Sequence, residues 1–527
     1  MKLVTSALFC IFLLADFFVS KSYSQLNIEL VSHLPYTLQL SNIWGYEQGG
    51  NQYALVGTYN GLSIVDITTP TSPFEVFSIS ANTSIWREIK TWQHYAYVAT
   101  EGGGGVMIVD LQNLPFYVNH YDWQDIDGSI NRVHALHIDE FGYLYLYGAD
   151  ISNRGCRIYD LNADPMHPAY LGQFQDSYVH DGEVRNNTLY AGLIIDGEMA
   201  IIDMTNRANP VLKGSTSTPN NKTHNTWLSN NDSICFTTDE TTAAYVTAFN
   251  ISDPSNIIEL DRWQSPEGSR STPHNVIVRN DYLIVSYYKE GVYVVDAHRP
   301  ENLVTVGHYD TSPLAASPGF AGCWGAYPLF SNNLIIASDM QEGLFLLQPT
   351  YQRASYLEGA VHDSLGNAIV GAECSLINDD NDTVDVNFTT VEGNYKLGCV
   401  ANGRYKLDVK TTTCGMQMLD SIDLQTSLIA EVNVTLPCGT PVDLMDNTPT
   451  QTVYPIPATT FFYINLEDAI STSKRVVITN AQGKKIYEIL TSDSSIFINS
   501  ETWDCGVYFI TTSINHKIKT KKIVIIK

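Results

Sequence analysis

Apolar residues alternate with polar ones in short bursts along most of the chain, and turn-forming residues separate the bursts. Residues 271–311 show the unit most clearly. Apolar runs at 275–278, 282–288, 292–296 and 303–309 are rich in Val, Ile and Tyr. They are divided by Arg279-Asn280-Asp281, Lys289-Glu290-Gly291 and His298-Arg299-Pro300-Glu301, which hold the Asn, Asp, Gly and Pro of tight turns. The pattern predicts four strands with two apolar faces and no helix to cover them, so the unit needs neighbours of its own kind.

The third strand recurs as Gly61–Asp66, Gly105–Asp110, Gly155–Asp160, Met199–Asp203, Tyr245–Asn250, Gly291–Asp296 and Gly343–Gln348. Its closing residue returns every 43–52 positions, and a proline-containing turn usually follows. Four strands per unit at that period predict propeller blades, here seven. Residues 26–40 read as a fourth strand without its first three, whereas the seventh unit has only three. Placing the N-terminal strand in the last blade closes the ring and hides two sheet edges.

Each unit opens on a marked position: Trp44, Trp86, His134, His180, His224, His274 and Trp324. A second, usually acidic position lies between strands two and three: Asn60, Glu101, Asp150, Asp196, Asp239-Glu240, Glu290 and Glu342. In a meander both loops lie at the same end, so these residues should crowd one mouth of a central channel. His134, His180, His224 and His274, with Glu101, Asp150, Asp196, Glu240, Glu290 and Glu342, are therefore the candidate ligand-binding set. His180, His224 and His274 are the candidate metal ligands, and calcium or a transition metal is the cation such donors could hold. The competing reading gives each repeated residue the same structural role in every blade, bonding a neighbour's backbone or a turn amide. Trp at three of the seven positions favours that reading. His134 and His137, three apart, should face opposite sides of a strand. Asp181 and Glu183 read as an exposed acidic turn.

The repeat resembles the LVIVD-repeat propellers, often described as choice-of-anchor B proteins, across residues 26–350. The closing Asp is lost at Asn250 and Gln348. The resemblance implies no enzymatic activity, and the chain has no G-x-S-x-G, H-E-x-x-H, P-loop lysine or GxGxxG entering a helix. The expectation is a non-catalytic binding protein with an unknown protein or glycan ligand. A metal-dependent hydrolase or lyase using the channel mouth is the alternative.

The pattern changes at residues 353–438. Gly359-Ala-Val-His-Asp363, Gly366, Ile369-Val-Gly-Ala372 and Thr390-Val-Glu-Gly-Asn-Tyr395 resemble the carboxypeptidase regulatory-like domain, a transthyretin-like β-sandwich that acts as a spacer. Cys374, Cys399, Cys414 and Cys438 fall here and predict two disulfides in an exported chain, with pairing open. A four-cysteine metal site lacks any C-x-x-C pair to support it. Cys156, Cys235, Cys323 and Cys505 read as buried or unpaired.

A polar linker, 439–452, leads to residues 453–527. Tyr454-Pro-Ile-Pro-Ala458, Asn480-Ala-Gln-Gly-Lys484, Gly506-Val-Tyr-Phe-Ile510 and a Lys-rich last strand resemble the type IX secretion sorting domain of Bacteroidota, a small Ig-like sandwich. Ile456 stands where that family has Asn. The resemblance implies type IX machinery as partner and delivery outside the cell, with release or attachment to surface lipopolysaccharide.

Residues 1–24 carry Lys2, an apolar run and Ser22-Tyr-Ser24, the pattern of a secretory signal peptide routed through the periplasm. No run is long enough for a membrane helix. The formal charge of −26 argues against nucleic acid. Residues 450–527 run the other way, with nine Lys/Arg against six Asp/Glu. The fold class expected overall is all-β.

Overall fold

The structure, a computed structural model, describes residues 25–125, 128–150, 154–265, 269–412, 414–438, 451–466, 474–481, 483–514 and 517–527. The expected signal peptide and residues 439–450 of the expected linker lie outside them. Strands dominate, and a 3-10 turn at Tyr288–Glu290 lies in the larger of two compact units. That unit runs to Cys438, and the second comprises the rest of the chain. No helix among the described residues is long and apolar enough to cross a membrane.

Seven four-stranded antiparallel meanders make up most of the first unit. Their first strands are Leu40–Gln48, Arg87–Trp92, Ala135–Ile138, Asp181–Arg185, Thr223–Leu228, Pro273–Arg279 and Cys323–Tyr327. Each packs against the first strand of the next sheet, and the seventh returns to the first, so the sheets form a closed ring. Ile28–Leu34 supplies the fourth strand of the seventh sheet, paired with Gly343–Pro349. Gln25–Leu26 adds a fifth strand to the sixth sheet. The chain start thus ties two neighbouring sheets, and Ile28 is buried in the core between them. Apolar residues from both faces of successive sheets fill the inter-sheet layers, as their two-sided patterns require.

The closing Asp of the third strand has a common task. Asp66, Asp110, Asp160, Asp203 and Asp296 each accept the backbone N–H two residues on through Oδ1, at 2.8–3.0 Å. This is an Asx-turn that carries the chain toward the fourth strand. Asn250 makes the same bond to Ser252 at 3.0 Å, so the substitution there keeps the turn. Between strands one and two, Asn186-Asn187 and Asn280-Asp281 both hold positive φ, as two-residue hairpins demand.

Residues 355–438 fold as two facing sheets around Leu357, Leu376, Tyr395, Leu397 and Leu407. One sheet is built on Ser355–Asp363, the other on Glu373–Ile377 and Gly403–Thr411. Here the four-cysteine expectation fails in part. Only Cys414 and Cys438 are joined, while Cys374 and Cys399 are free and buried. The latter two lie on strands of opposite sheets and serve as small apolar filler in the shared core. Cys156, Cys235 and Cys323 are likewise free and buried, and Cys505 is free and exposed.

This sandwich is docked on the ring through Asp296, which is wholly buried. Besides its own turn, Asp296 accepts Arg353 Nη1 at 2.6 Å, the Ala354 N–H at 2.8 Å and Tyr356 Oη at 3.2 Å. Arg299 and Asn302 add bonds to Glu358 at 2.9 and 3.2 Å.

The second unit, taken alone, has a three-stranded and a four-stranded sheet. Phe462, Ile464, Val476, Ile478, Ile498, Ile510 and Ile523 form its core.

Asp296→Ala removes one member of a buried, multiply bonded pair, a loss that costs about 3–5 kcal/mol. Urea unfolding of the full chain should show that loss, and limited proteolysis should cut first between residues 350 and 360. Asp66→Ala, which breaks an exposed turn bond with no docked domain behind it, should cost about 1 kcal/mol.

Candidate functional site

The marked positions do line the axis of the ring, and the means is a backbone irregularity. Pairing of strands one and two slips by a residue at His224, at His274 and at Trp324. At His180 the Gly192 carbonyl accepts the His N–H while Gly192 is already the partner of Asp181, which is the same two-against-one arrangement. Tyr147 plays that part for His134 and Ala135. A β-bulge re-aims side chains, so two consecutive residues can face the channel. His134 and His137 consequently both border the channel, at different depths, contrary to strict alternation.

The four histidines form a continuous stack. Ring centroids are 4.1 Å apart for His134–His180, 4.2 Å for His180–His224 and 4.5 Å for His224–His274, and Trp324 follows 4.9 Å from His274. His180 Nδ1 lies 3.3 Å from the His224 carbonyl, and His274 Nδ1 lies 2.5 Å from the Trp324 carbonyl. Each of these rings therefore donates from Nδ1 to the next sheet, which leaves Nε2 as a bare acceptor. Burial holds the pKa of His180 and His224 well below the usual imidazole range and that of His274 down at about 3. These three rings are neutral at physiological pH. His134 differs, turning Nδ1 to Glu101 at 2.9 Å.

The acids separate. Glu240 lines the channel, with its carboxylate 3.7 Å from His224 Nε2 and 3.7 Å from His274 Nε2. Tyr288 Oη donates to its Oε1 at 2.6 Å. Burial raises the Glu240 pKa to about 7. The other five do not line the cavity. Glu101 is engaged by His134 and by Arg154 at 3.3 Å. Asp150 accepts the Arg132 N–H at 2.9 Å, and Asp196 is exposed in its turn. Glu290 is buried, 3.3 Å from Ser269 Oγ. Glu342 lies in the turn joining strands two and three of the seventh sheet, where its N–H donates to Asp339 Oδ1 at 3.0 Å and His33 Nε2 bonds its carbonyl at 2.7 Å. His180 lines the channel but lies outside the cluster of His224, Glu240 and His274, whose ligand atoms all fall within 4.8 Å of one another.

A deeper layer has no counterpart in the expected set. Glu88, Lys90, Asp181 and Asn225 are all buried there. Glu88 takes hydrogen bonds from Lys90 Nζ and Asn42 Nδ2, and Lys90 also sits 4.3 Å over the Trp44 ring. Asn225 Nδ2 donates to Asp181 at 2.8 Å, and burial raises the Asp181 pKa to about 6. Asp181 and Glu183 are thus interior residues of an innermost strand, not an exposed acidic turn. The signal was present in sequence as Arg87-Glu88, Asp181, Asn225 and Asn275, each just after a marked position.

The space between these layers is small. The upper cavity, ringed by Trp86, the four histidines and Trp324, is ≈ 50 Å³, and the lower one ≈ 20 Å³. One water needs about 10–15 Å³ measured this way, so the upper cavity takes an ion and a few waters but no sugar ring.

Comparisons with known proteins agree in outline. Residues 452–526 match the secretion system C-terminal sorting domain, and residues 49–81 and 192–218 match the LVIVD repeat. No curated protein matches the chain. Among solved structures, the β-propeller domain of Cps50 (Swd1) from Myceliophteria thermophila aligns at 13% identity and TM-score 0.44, over 61% of this chain and 99% of that one. The structure of U3-55K aligns at 9% identity and TM-score 0.44, over 62% and 98%.

The buried neutral stack sets an acid dependence. Each of His180, His224 and His274 takes up a proton more readily unfolded than folded, so the contribution of these three groups to stability is at its plateau above about pH 6.5 and falls as pH drops below it. The loss per histidine is about 1.4 kcal/mol for each further pH unit. Over pH 7 to 5 the raised pKa values of Glu240 and Asp181 act in the opposite sense, so the histidine contribution is read by difference. Chemical denaturation at pH 7, 6 and 5 should show that His180→Asn changes the pH slope of stability by about one proton's worth. An unchanged slope in that variant would mean that His180 is not buried neutral.

Proposed function

We propose that the chain is an exported, non-catalytic recognition module, delivered by type IX secretion and displayed on the outer cell surface or released. In this reading residues 25–352 are a seven-bladed β-propeller of the LVIVD-repeat, choice-of-anchor B kind. Residues 353–438 are a carboxypeptidase regulatory-like spacer of transthyretin-like fold, and residues 453–527 an Ig-like sorting domain. The match of residues 452–526 to a secretion system C-terminal sorting domain is the observation that carries it. That part is also a compact unit separate from residues up to Cys438, as a detachable delivery domain should be.

Recognition falls to the mouth face. The channel is too narrow for an organic ligand, and two tryptophans border it. Around that mouth Tyr59, Trp86, Ile195 and Phe320 are exposed, on loops entering strand one or joining strands two and three. Glu101, Asp150 and Asp196 lie on loops of the same end. Amphipathic aromatics beside fixed polar groups suit a protein or glycan surface. The plugged channel also weighs against the hydrolase or lyase alternative, which needs room for a substrate beside its metal.

A stop codon after Cys438 in the producing organism tests the export reading. The truncated protein should fold and accumulate in the periplasm, whereas the full chain reaches the surface or medium, as read by fractionation and immunoblotting. Equal amounts of both forms outside the cell would overturn it.

A further inference from the structure

Three acceptor groups converge where sheets five and six meet the channel: two imidazole Nε2 atoms and one carboxylate. His224 comes from the bulge at the start of its strand, and His274 from the equivalent bulge of the next sheet. Glu240 comes from the loop after Ile234–Asp239, whose far end the backbone N–H of Glu240 bonds back to Lys222. The two Nε2–carboxylate separations are 3.7 Å, too long for hydrogen bonds. Both Nε2 atoms line the cavity beside a carboxylate that Tyr288 Oη orients, and a cation can bridge such a set of acceptors.

We propose that His224 Nε2, His274 Nε2 and Glu240 together bind one divalent transition-metal ion of the zinc class. Bonds of about 2.0–2.1 Å at tetrahedral angles place ligand atoms about 3.3 Å apart. Each Nε2–carboxylate separation of 3.7 Å must therefore shorten slightly, and the group as a whole, whose ligand atoms lie within 4.8 Å of one another, must contract around the ion. The outer shell is built as metal sites require. Nδ1 of His274 donates to the Trp324 carbonyl at 2.5 Å, which fixes the tautomer that leaves Nε2 bare. His224 turns its Nδ1 toward the His274 carbonyl in the same sense, beyond hydrogen-bond geometry. Tyr288 Oη, 2.6 Å away, orients the Glu240 carboxylate.

The donor set selects the ion. Calcium and magnesium take oxygen ligands, typically six or more, whereas two imidazoles with one carboxylate suit zinc, iron, nickel or copper. The remaining coordination positions face the ≈ 50 Å³ cavity, which has room for water or a small inorganic anion. His180, next in the stack, is close enough to bond such a water, but its Nε2 lies outside the cluster. The ion would join sheet five to sheet six across the channel wall.

The test uses the full chain, stripped with chelator, loaded with zinc chloride and desalted before elemental analysis. About one zinc per chain should remain, and Co²⁺ in its place should give a visible d–d absorption band. His274→Ala and Glu240→Ala should abolish stoichiometric retention while the far-ultraviolet circular dichroism stays unchanged. Glu240→Gln, which keeps the volume and the Tyr288 bond, carries the test if the alanine variants do not fold, and should weaken binding at least tenfold. Tyr288→Phe should weaken it about 10–100-fold without changing the stoichiometry. Failure of the parent to retain zinc or to give the cobalt band would overturn the proposal. So would retention in Glu240→Gln equal to that of the parent.

Discussion

Ring closure is the constraint on which the rest depends. A four-stranded sheet with two apolar faces is unstable alone, and a row of such sheets leaves two bare faces and two bare edges. The structure removes both by pairing Ile28–Leu34 with the last sheet and packing that sheet on the first. Closure then forces the seven first strands toward one axis. Whatever side chains those strands present must pack against one another there, polar or not. The histidine stack and the Glu88–Lys90–Asp181 layer are consequences of that geometry as much as of any ligand.

A polar axis is costly to build, and the chain meets the cost by satisfaction rather than by hydration. Glu88 has Lys90 and Asn42, Asp181 has Asn225, and His180 and His274 each have a carbonyl of the next sheet. Apart from Glu88–Lys90, which lies within one strand, these bonds run from sheet to sheet and, with others such as Thr238 Oγ1 to the His274 carbonyl, help fix register between neighbours. Removing one partner leaves the other buried and unpaired, a larger penalty than the bond itself is worth. The Glu240 pocket is the exception, because His224 Nε2 and His274 Nε2 each lie 3.7 Å from its carboxylate, beyond hydrogen-bond reach.

Much of this was legible in the residues. Strand number, period and the closing role of residues 26–40 followed from two-residue periodicity and turn chemistry. The recurrent Asp announced a turn, and Asn250 shows why: its carboxamide oxygen sits where the carboxylate oxygen would. Gln348 carries one methylene more, and there the chain leaves the ring. The bulges were not legible, since a slip of one residue changes no hydrophobic pattern locally. Without them, strict alternation sent His137 to the wrong side and left Asp181 on the surface. The equivalence of the four histidines also dissolved for a local reason. Glu101 and Arg154 claim the first, while Tyr288 brings a carboxylate to the third and fourth. Cysteine pairing was beyond the sequence, because spacing does not say which strands of a sandwich share a sheet.

The sandwich and the ring share a logic at Asp296. In five other sheets the residue at that place accepts the N–H two residues on and closes its own turn. In the sixth, Arg353, Ala354 and Tyr356 use the remaining acceptor capacity, so a repeat residue serving a turn also anchors the next domain. The sixth sheet also receives Gln25–Leu26 at its edge and contributes His274 to the channel. One sheet therefore couples the N-terminal closure, the docked sandwich and the polar axis. Strain at any of these three places is transmitted through close-packed strands rather than absorbed by a loop. The sixth sheet is thus tied to three parts of the fold at once, and His274 of the proposed metal site stands at its channel end.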